Sequence, residues 1–507
     1  MNRIRKLLNH GFEFFNNKDY GNAYNTAKLV LNSRYNIDAL ALAGTSLFKL
    51  GEIEKAEEYI AKAFNENPNN KSLQIYYLDS LLKLSKYEKG IEVLKKIKLK
   101  GFNVNLIGAK LYQLNGLFSE AINLIQNISP CIEKFEIMAW NYEKLNLNVK
   151  ARKNAKHGLK LDPPNLICNI ILTKLFLRRK KIKKAKKQIK RIKKKRLNAT
   201  NLSIYYSTKA EIFEKNQQYN KAFRGYTKSN NALKNTTEFL NLKGHNYYTF
   251  EKINLIKEYF SKKISFNNSI PSREEITFMV GFPRSGTTLL ENILNSHTKI
   301  TTIEEKPLLD EIFSLFLNDL ASMNRLTDLS REELLSLQKT YLTNRTNYSK
   351  SQKGLIIDKL PLNIIHIGII YRIFPNAKFI ISTRDVRDVA LSCYFQNFAV
   401  NDAMANFLDW NTTKKYLEEI MQLGMKLIKE YSANHIIVNY EDFVNAPFKK
   451  VREILTFLDL EWQDEILNYR KKIVGKNINT PSYEKVSQKI TLKQTNKWKN
   501  YTKYFKD

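Results

Sequence analysis

The chain has 507 residues, 43% of them hydrophobic, which is ample for two or more packed domains, and its formal charge of +35 would attract polyanions. Three scattered cysteines, Cys131, Cys168 and Cys393, argue against a disulfide framework and a zinc site and for a reducing compartment. The basic start Met1–His10 runs into no sustained apolar stretch and no segment approaches the roughly 18 apolar residues of a membrane helix, so no export signal, no transmembrane segment and a cytoplasmic location are expected.

From the N-terminus the first signal is an internal repeat. Leu40, Ala43, Gly44, Leu47, Ala56, Ile60, Ala63 and Pro68 fall at tetratricopeptide spacing. The small residue of each second helix recurs at Ala23, Ala56, Gly90, Ala121, Ala151, Ala185 and Ala222, at intervals of 33, 34, 31, 30, 34 and 37. About seven helix pairs follow, each burying its apolar stripe only against its neighbours. Residues 1–265 therefore read as an all-α tetratricopeptide solenoid, right-handed, with a concave groove. The groove suits a protein or peptide, either substrate or separate partner; a role as spacer is the alternative. Within it, fourteen of the nineteen residues Arg178–Arg196 are Lys or Arg. Ile182, Ala185, Ile189 and Ile192 keep helical spacing there, which predicts one packed stripe and a basic solvated face. An acidic peptide, an anionic polysaccharide, nucleic acid or anionic lipid would suit that face, and no dedicated nucleic-acid motif accompanies it.

Ser265–Ser272 is the most linker-like stretch, and a second domain is expected over 270–507. Strands at about 276–281, 355–358, 377–383 and 435–439 alternate with helices, as an α/β parallel sheet with right-handed crossovers requires. The first strand runs into Gly281-Phe282-Pro283-Arg284-Ser285-Gly286-Thr287-Thr288 and then a helix. This is the Gly-x4-Gly-x-Thr frame of a phosphate-binding loop, with Thr287 where a nucleotide triphosphatase needs lysine. With Arg284 inside the loop, a terminal phosphate or sulfate would be gripped by a planar guanidinium. The third strand ends at Arg384-Asp385, and Arg384 with Ser392, two turns into the next helix, forms a second candidate anion site. Two such sites on neighbouring strands suit a ligand with phosphates at both ends of a ribose.

The Pro283–Thr288 loop, the Phe374-Pro375-Asn376-Ala377-Lys378-Phe379 approach and the Arg384…Ser392 pair resemble the 5′- and 3′-phosphate motifs of sulfotransferases that use 3′-phosphoadenosine-5′-phosphosulfate (PAPS). The likeness is to tyrosylprotein sulfotransferases, in the form of bacterial proteins that join tetratricopeptide repeats to a P-loop-like parallel-sheet sulfotransferase domain, and it covers about residues 270–505. It implies that Pro283, Arg284, Ser285, Gly286, Thr287 and Thr288 hold the 5′-phosphosulfate and that Arg384 and Ser392 hold the 3′-phosphate, leaving 3′-phosphoadenosine-5′-phosphate (PAP) as product. It also implies Glu305 as the base that takes the acceptor's proton and Lys359, with Arg284, as the cations at the transferring group, with no metal. Without the resemblance, Glu304 and Glu305 read as a solvated acidic pair beside a helix started by Pro307, and Lys359 as a surface residue at a strand end.

This chain departs from the family at Gln396, where the tyrosylprotein enzymes carry another arginine. Ser482–Gln488 with Lys497-Trp498 looks like the family's segment that returns over the active site; Ser482 or Ser487 would be the serine near the sulfuryl group, and Lys497 joins the candidates. Tyr440-Glu441-Asp442 resembles a structural feature of the family. The expected activity is sulfuryl transfer to a hydroxyl, protein tyrosine first, with a carbohydrate or lipid hydroxyl as alternative. A non-catalytic repeat scaffold is a further alternative, and a P-loop kinase is disfavoured by Thr287.

Overall fold

The computed structural model describes residues 2–98, 100–242, 244, 247–266, 269–349, 354–470, 490 and 495–505. Seven consecutive helix pairs lead the chain, and their second members are Tyr20–Ser33, Ile53–Glu66, Tyr87–Lys96, Phe118–Ile125, Asn148–Leu161, Ile182–Ile189 and Tyr219–Leu233. Each contains one of the small residues picked out by the repeat, and all seven are buried. A larger side chain there would hold the paired helices apart. Asparagine caps open several first helices: Asn36, Asn70 and Asn198 accept from the amides of Ala39, Leu73 and Asn201. Each such cap contributes about 1 kcal/mol. In the basic run, Ala185, Ile189 and Ile192 are buried and Ile182 is partly buried, while Lys183, Lys184, Lys187 and Lys190 face solvent, so three of the four stripe positions pack beneath a basic outer face.

The chain forms two compact units that divide between Leu175 and Phe176. The second unit holds a five-stranded sheet made of β1 (Thr277–Gly281), β2 (Ile300–Glu304), β3 (Leu355–Lys359), β4 (Lys378–Thr383) and β5 (His435–Asn439). Their order is β2-β3-β1-β4-β5 and every pairing is parallel, so all carboxyl ends lie on one edge. β1 is central and buried at every position, which is why it reads as a continuous apolar run. β2 was not among the four strands expected from the sequence. It is a short edge strand, Ile-Thr-Thr-Ile-Glu, only two of whose residues are buried, so it lacks the apolar run that marks the inner strands.

This unit begins well ahead of the 265–272 stretch that composition marks as a linker. The last helix pair, Ala199–Lys215 and Tyr219–Leu233, packs within it. Phe223 stacks on Tyr504 with ring centroids 3.6 Å apart and Tyr226 on Phe395 at 4.1 Å. Asn230 donates to the Tyr394 carbonyl at 3.0 Å, and the Tyr394 hydroxyl donates to Thr227 at 2.9 Å. The C-terminal turn Lys497–Tyr504 completes the cluster, with Glu214 accepting from Tyr501 at 3.1 Å and Trp410 donating to the Tyr504 carbonyl at 2.8 Å.

Because Phe223 sits at the centre of this aromatic cluster, Phe223→Ala should destabilise the second unit by about 3–5 kcal/mol. The same cluster predicts that a fragment starting at residue 270 melts well below one starting at Phe176. Equal melting curves for the two fragments would show that the last helix pair contributes nothing to the sheet-bearing unit.

Candidate functional site

The loop after β1 is shaped by two glycines. Gly281 has φ +149, and a Cβ on it would lie 2.4 Å from the Ser382 carbonyl oxygen of β4, so only glycine lets the two strand ends approach this closely. Gly286 has φ +106 and caps the helix Thr287–Leu294; a Cβ there would meet the Tyr440 ring at 2.5 Å. Between them the loop presents the N-terminus of that helix, the geometry that receives an anion. Ser285, Thr287 and Thr288 are buried in it. The Ser285 hydroxyl is buried with no hydrogen-bond partner among the described residues, a donor that an anion in the loop would satisfy.

The two anion motifs interlock. Arg284, at φ +74, donates through Nε to Ser392 Oγ at 3.1 Å, and Arg384 donates to the Arg284 carbonyl at 3.1 Å. Arg384 also lies 4.5 Å from the centre of the Tyr440 ring and 3.8 Å from buried Asp388, which in turn accepts from the Trp498 amide at 2.8 Å. Burial lowers the pKa of Arg284 from its ordinary value, with Arg384 adding to the effect; an arginine remains charged even so. Two guanidinium groups brought this close favour a multiply charged anion. The Cys393 thiol behind the loop is pushed up to about 12 by burial and donates to the Pro283 carbonyl, so it serves packing.

A second cluster lies at the ends of β2 and β3, where Glu304 and Lys359 are register partners. Lys359 is completely buried, which corrects its reading as a surface residue. Its ammonium is 2.8 Å from Glu305, 3.1 Å from Glu291 and 3.6 Å from Glu304. Burial alone would lower its pKa, but Glu291, Glu305 and Glu304 together raise it above the ordinary lysine value. Glu304 closes β2 instead of preceding a helix at Pro307; the next helix starts at Asp310. Glu305 turns out of the strand at φ +49, anchored by its amide donating to the Lys359 carbonyl at 2.8 Å, and its side chain is about half exposed. A carboxylate open to solvent beside a buried ammonium is an arrangement that can take a proton from a bound hydroxyl.

The structure thus brings together Arg284, Ser285, Thr287, Thr288, Arg384 and Ser392, and beside them on the same sheet edge Glu305, Glu304 and Lys359. Lys497 pairs with Glu214 and lies 5.2 Å from the centre of the Phe395 ring. Ser482 and Ser487 lie outside the described residues. Sequence reasoning missed Glu291 and assigned Tyr440 only a structural part. Glu291 follows Thr287 and Thr288 by one helical turn, so its shared face with the loop threonines was the available signal. Among the described residues no group of His, Cys, Asp or Glu could hold a metal ion, and no helix is long and apolar enough to cross a membrane.

Comparison with known proteins finds matches over both parts of the chain. Residues 277–464 match the family model described as "Sulfotransferase family", and residues 16–97 match one described as anaphase-promoting complex, cyclosome, subunit 3. An uncharacterized protein of Aquifex aeolicus (strain VF5) is 29% identical over 302 residues, covering 58% of this chain, and the chain spans 39% of that relative's length. A putative protein-tyrosine sulfotransferase of Caenorhabditis briggsae is 25% identical over 234 residues, 44% of this chain and 81% of its own. The solved sulfotransferase domain from the Synechococcus PCC 7002 olefin synthase is 22% identical, with a TM-score of 0.31 over 47% of this chain and 91% of its own. The loop, the paired arginines and the parallel sheet thus lie in the part of the chain that matches the sulfotransferase family, residues 277–464, in one chain with tetratricopeptide-like helical repeats.

Proposed function

We propose that this chain transfers a sulfuryl group from PAPS to a hydroxyl acceptor, with protein tyrosine as the first candidate. The observation that carries this reading is the convergence of Arg284, Arg384 and Ser392 at the ends of adjacent strands, beside a base-and-lysine pair at the ends of the next two. The orphaned Ser285 hydroxyl and the loop helix N-terminus fit one phosphate, and Arg384 with Ser392 fits the other. When bound, the donor supplies an activated sulfuryl group. Glu305 accepts the acceptor's hydroxyl proton, while Lys359 and Arg284 offset negative charge as it develops. Thr287, in place of a lysine, removes the contact on which nucleotide triphosphate chemistry depends.

Tyrosine as acceptor is supported by relatives named as protein-tyrosine sulfotransferases. In this reading the tetratricopeptide-like helices recruit a protein or peptide, and the lysine-rich face of Ile182–Ile189 favours an acidic one.

Calorimetric titration with PAP, with ATP and magnesium as the control, tests the donor site. Binding of PAP should be clear and that of ATP weak. Arg384→Ala should weaken PAP by about 1.5–3 kcal/mol, the worth of a charge-assisted hydrogen bond. Preference for ATP would sink the proposal.

Glu305→Ala should bind PAP as the wild type does yet lose transfer of labelled sulfate from PAPS to a tyrosine peptide by at least about 100-fold. Full transfer by this variant would show that another group is the base.

A further inference from the structure

Arg384 stands just beyond the end of β4. Among the described residues, its guanidinium donates to the Arg284 carbonyl, lies over the Tyr440 ring and faces Asp388 at 3.8 Å. Asp388 is 2% exposed, in the first turn of the helix Val386–Tyr394 that carries Ser392. A buried carboxylate needs donors, and a neighbouring guanidinium is a strong one. With no other donor, Asp388 would close on Arg384 as a tight pair, and the charge that Arg384 presents to an anion would be neutralised inside the protein. The observed contact is looser, since 3.8 Å is an ion pair beyond hydrogen-bond distance. The donor that Asp388 does have is the amide of Trp498, at 2.8 Å from its Oδ1.

Trp498 belongs to the C-terminal turn Lys497–Tyr504. Its ring lies 3.5 Å from the Arg387 guanidinium, which both oxygens of Asp385 hold at 3.0 and 2.6 Å. The turn is anchored on its other side by the last helix pair. Glu214, on helix Ala199–Lys215, accepts from the Tyr501 hydroxyl at 3.1 Å, pairs with Lys497, and accepts from Tyr226 of the second helix at 3.3 Å. One carboxylate of the repeat pair therefore takes side chains of the turn on either side of Trp498. We propose that Glu214 is a positioning residue of the anion site: it fixes the C-terminal turn, the Trp498 amide occupies Asp388, and Arg384 is left oriented but not clamped. These contacts follow one another in series, all within the second compact unit. The last repeat pair thereby sets the ligand affinity of the sheet-bearing domain without touching the ligand. That the ligand at Arg384 is PAP or PAPS rests on the function proposed above, whereas the anchoring of the turn is a property of the free protein.

The test uses the full chain with Glu214→Ala, and with Glu214→Gln, which keeps an acceptor for Tyr501, as the conservative variant. Hydrogen exchange in the ligand-free protein reads the Trp498 amide, which should exchange faster in Glu214→Ala and regain most of its protection in Glu214→Gln. Calorimetric titration with PAP should give an affinity about tenfold weaker in Glu214→Ala and within about threefold of the wild type in Glu214→Gln. Added to Arg384→Ala, Glu214→Ala should bring no further loss, since an effect that acts through Arg384 disappears with it. Losses that add would point to a general loosening of the fold and overturn the proposal. Unchanged exchange at Trp498, or unchanged PAP affinity in a folded Glu214→Ala, overturns it equally. Should Glu214→Ala not fold, Tyr501→Phe removes one of the same contacts and should give smaller changes of the same sign. A wild type that does not bind PAP overturns the functional reading instead, and the ligand-free exchange at Trp498 still decides whether Glu214 holds the turn.

Discussion

The site depends on how closely β1 can approach β4. Gly281 ends the central strand with its α-carbon against the Ser382 carbonyl, where any side chain would collide. That contact sets the loop beside the end of β4, so Arg284 reaches Ser392 and Arg384 reaches the Arg284 carbonyl. Tyr440, following β5, then fills the space beside Gly286 and stacks near Arg384. The ends of three strands meet at two positions that leave no room for a side chain, Gly281 and Gly286.

A parallel sheet supplies the rest of the logic. With every strand pointing the same way, the backbone places the loop, the arginines, Glu305 and Lys359 on one edge, and helix N-termini there favour negative charge. The sheet gains a positive centre over β1 and β4 and, at the ends of β2 and β3, a buried lysine with three carboxylates around it, of which Glu291 is buried and Glu305 reaches solvent.

The last tetratricopeptide-like pair belongs structurally to this machinery. Its Phe223, Tyr226 and Glu214 pack against the helix carrying Ser392 and the C-terminal turn. Asp388 links that turn to Arg384. The boundary suggested by composition therefore marks a change of chain character, whereas the packing boundary lies earlier, between Leu175 and Phe176.

Much of this was legible in the chain. The repeat could be counted because tight helix pairing tolerates only a small residue at one position per turn of the pattern, and all seven positions from Ala23 to Ala222 are buried. The loop was legible because Gly281, Arg284 and Gly286 have local backbone and chemical demands that the sequence states directly. What only tertiary structure decided is whatever depends on a neighbour distant in sequence. β2 carries too few apolar residues to announce itself, and Glu291, like Lys359 apart from the family resemblance, reads as an ordinary charged residue until the sheet encloses the two together. Charge pattern records which groups a chain owns, but burial decides which of them must pair, and burial is set by the packing of elements far apart along the chain.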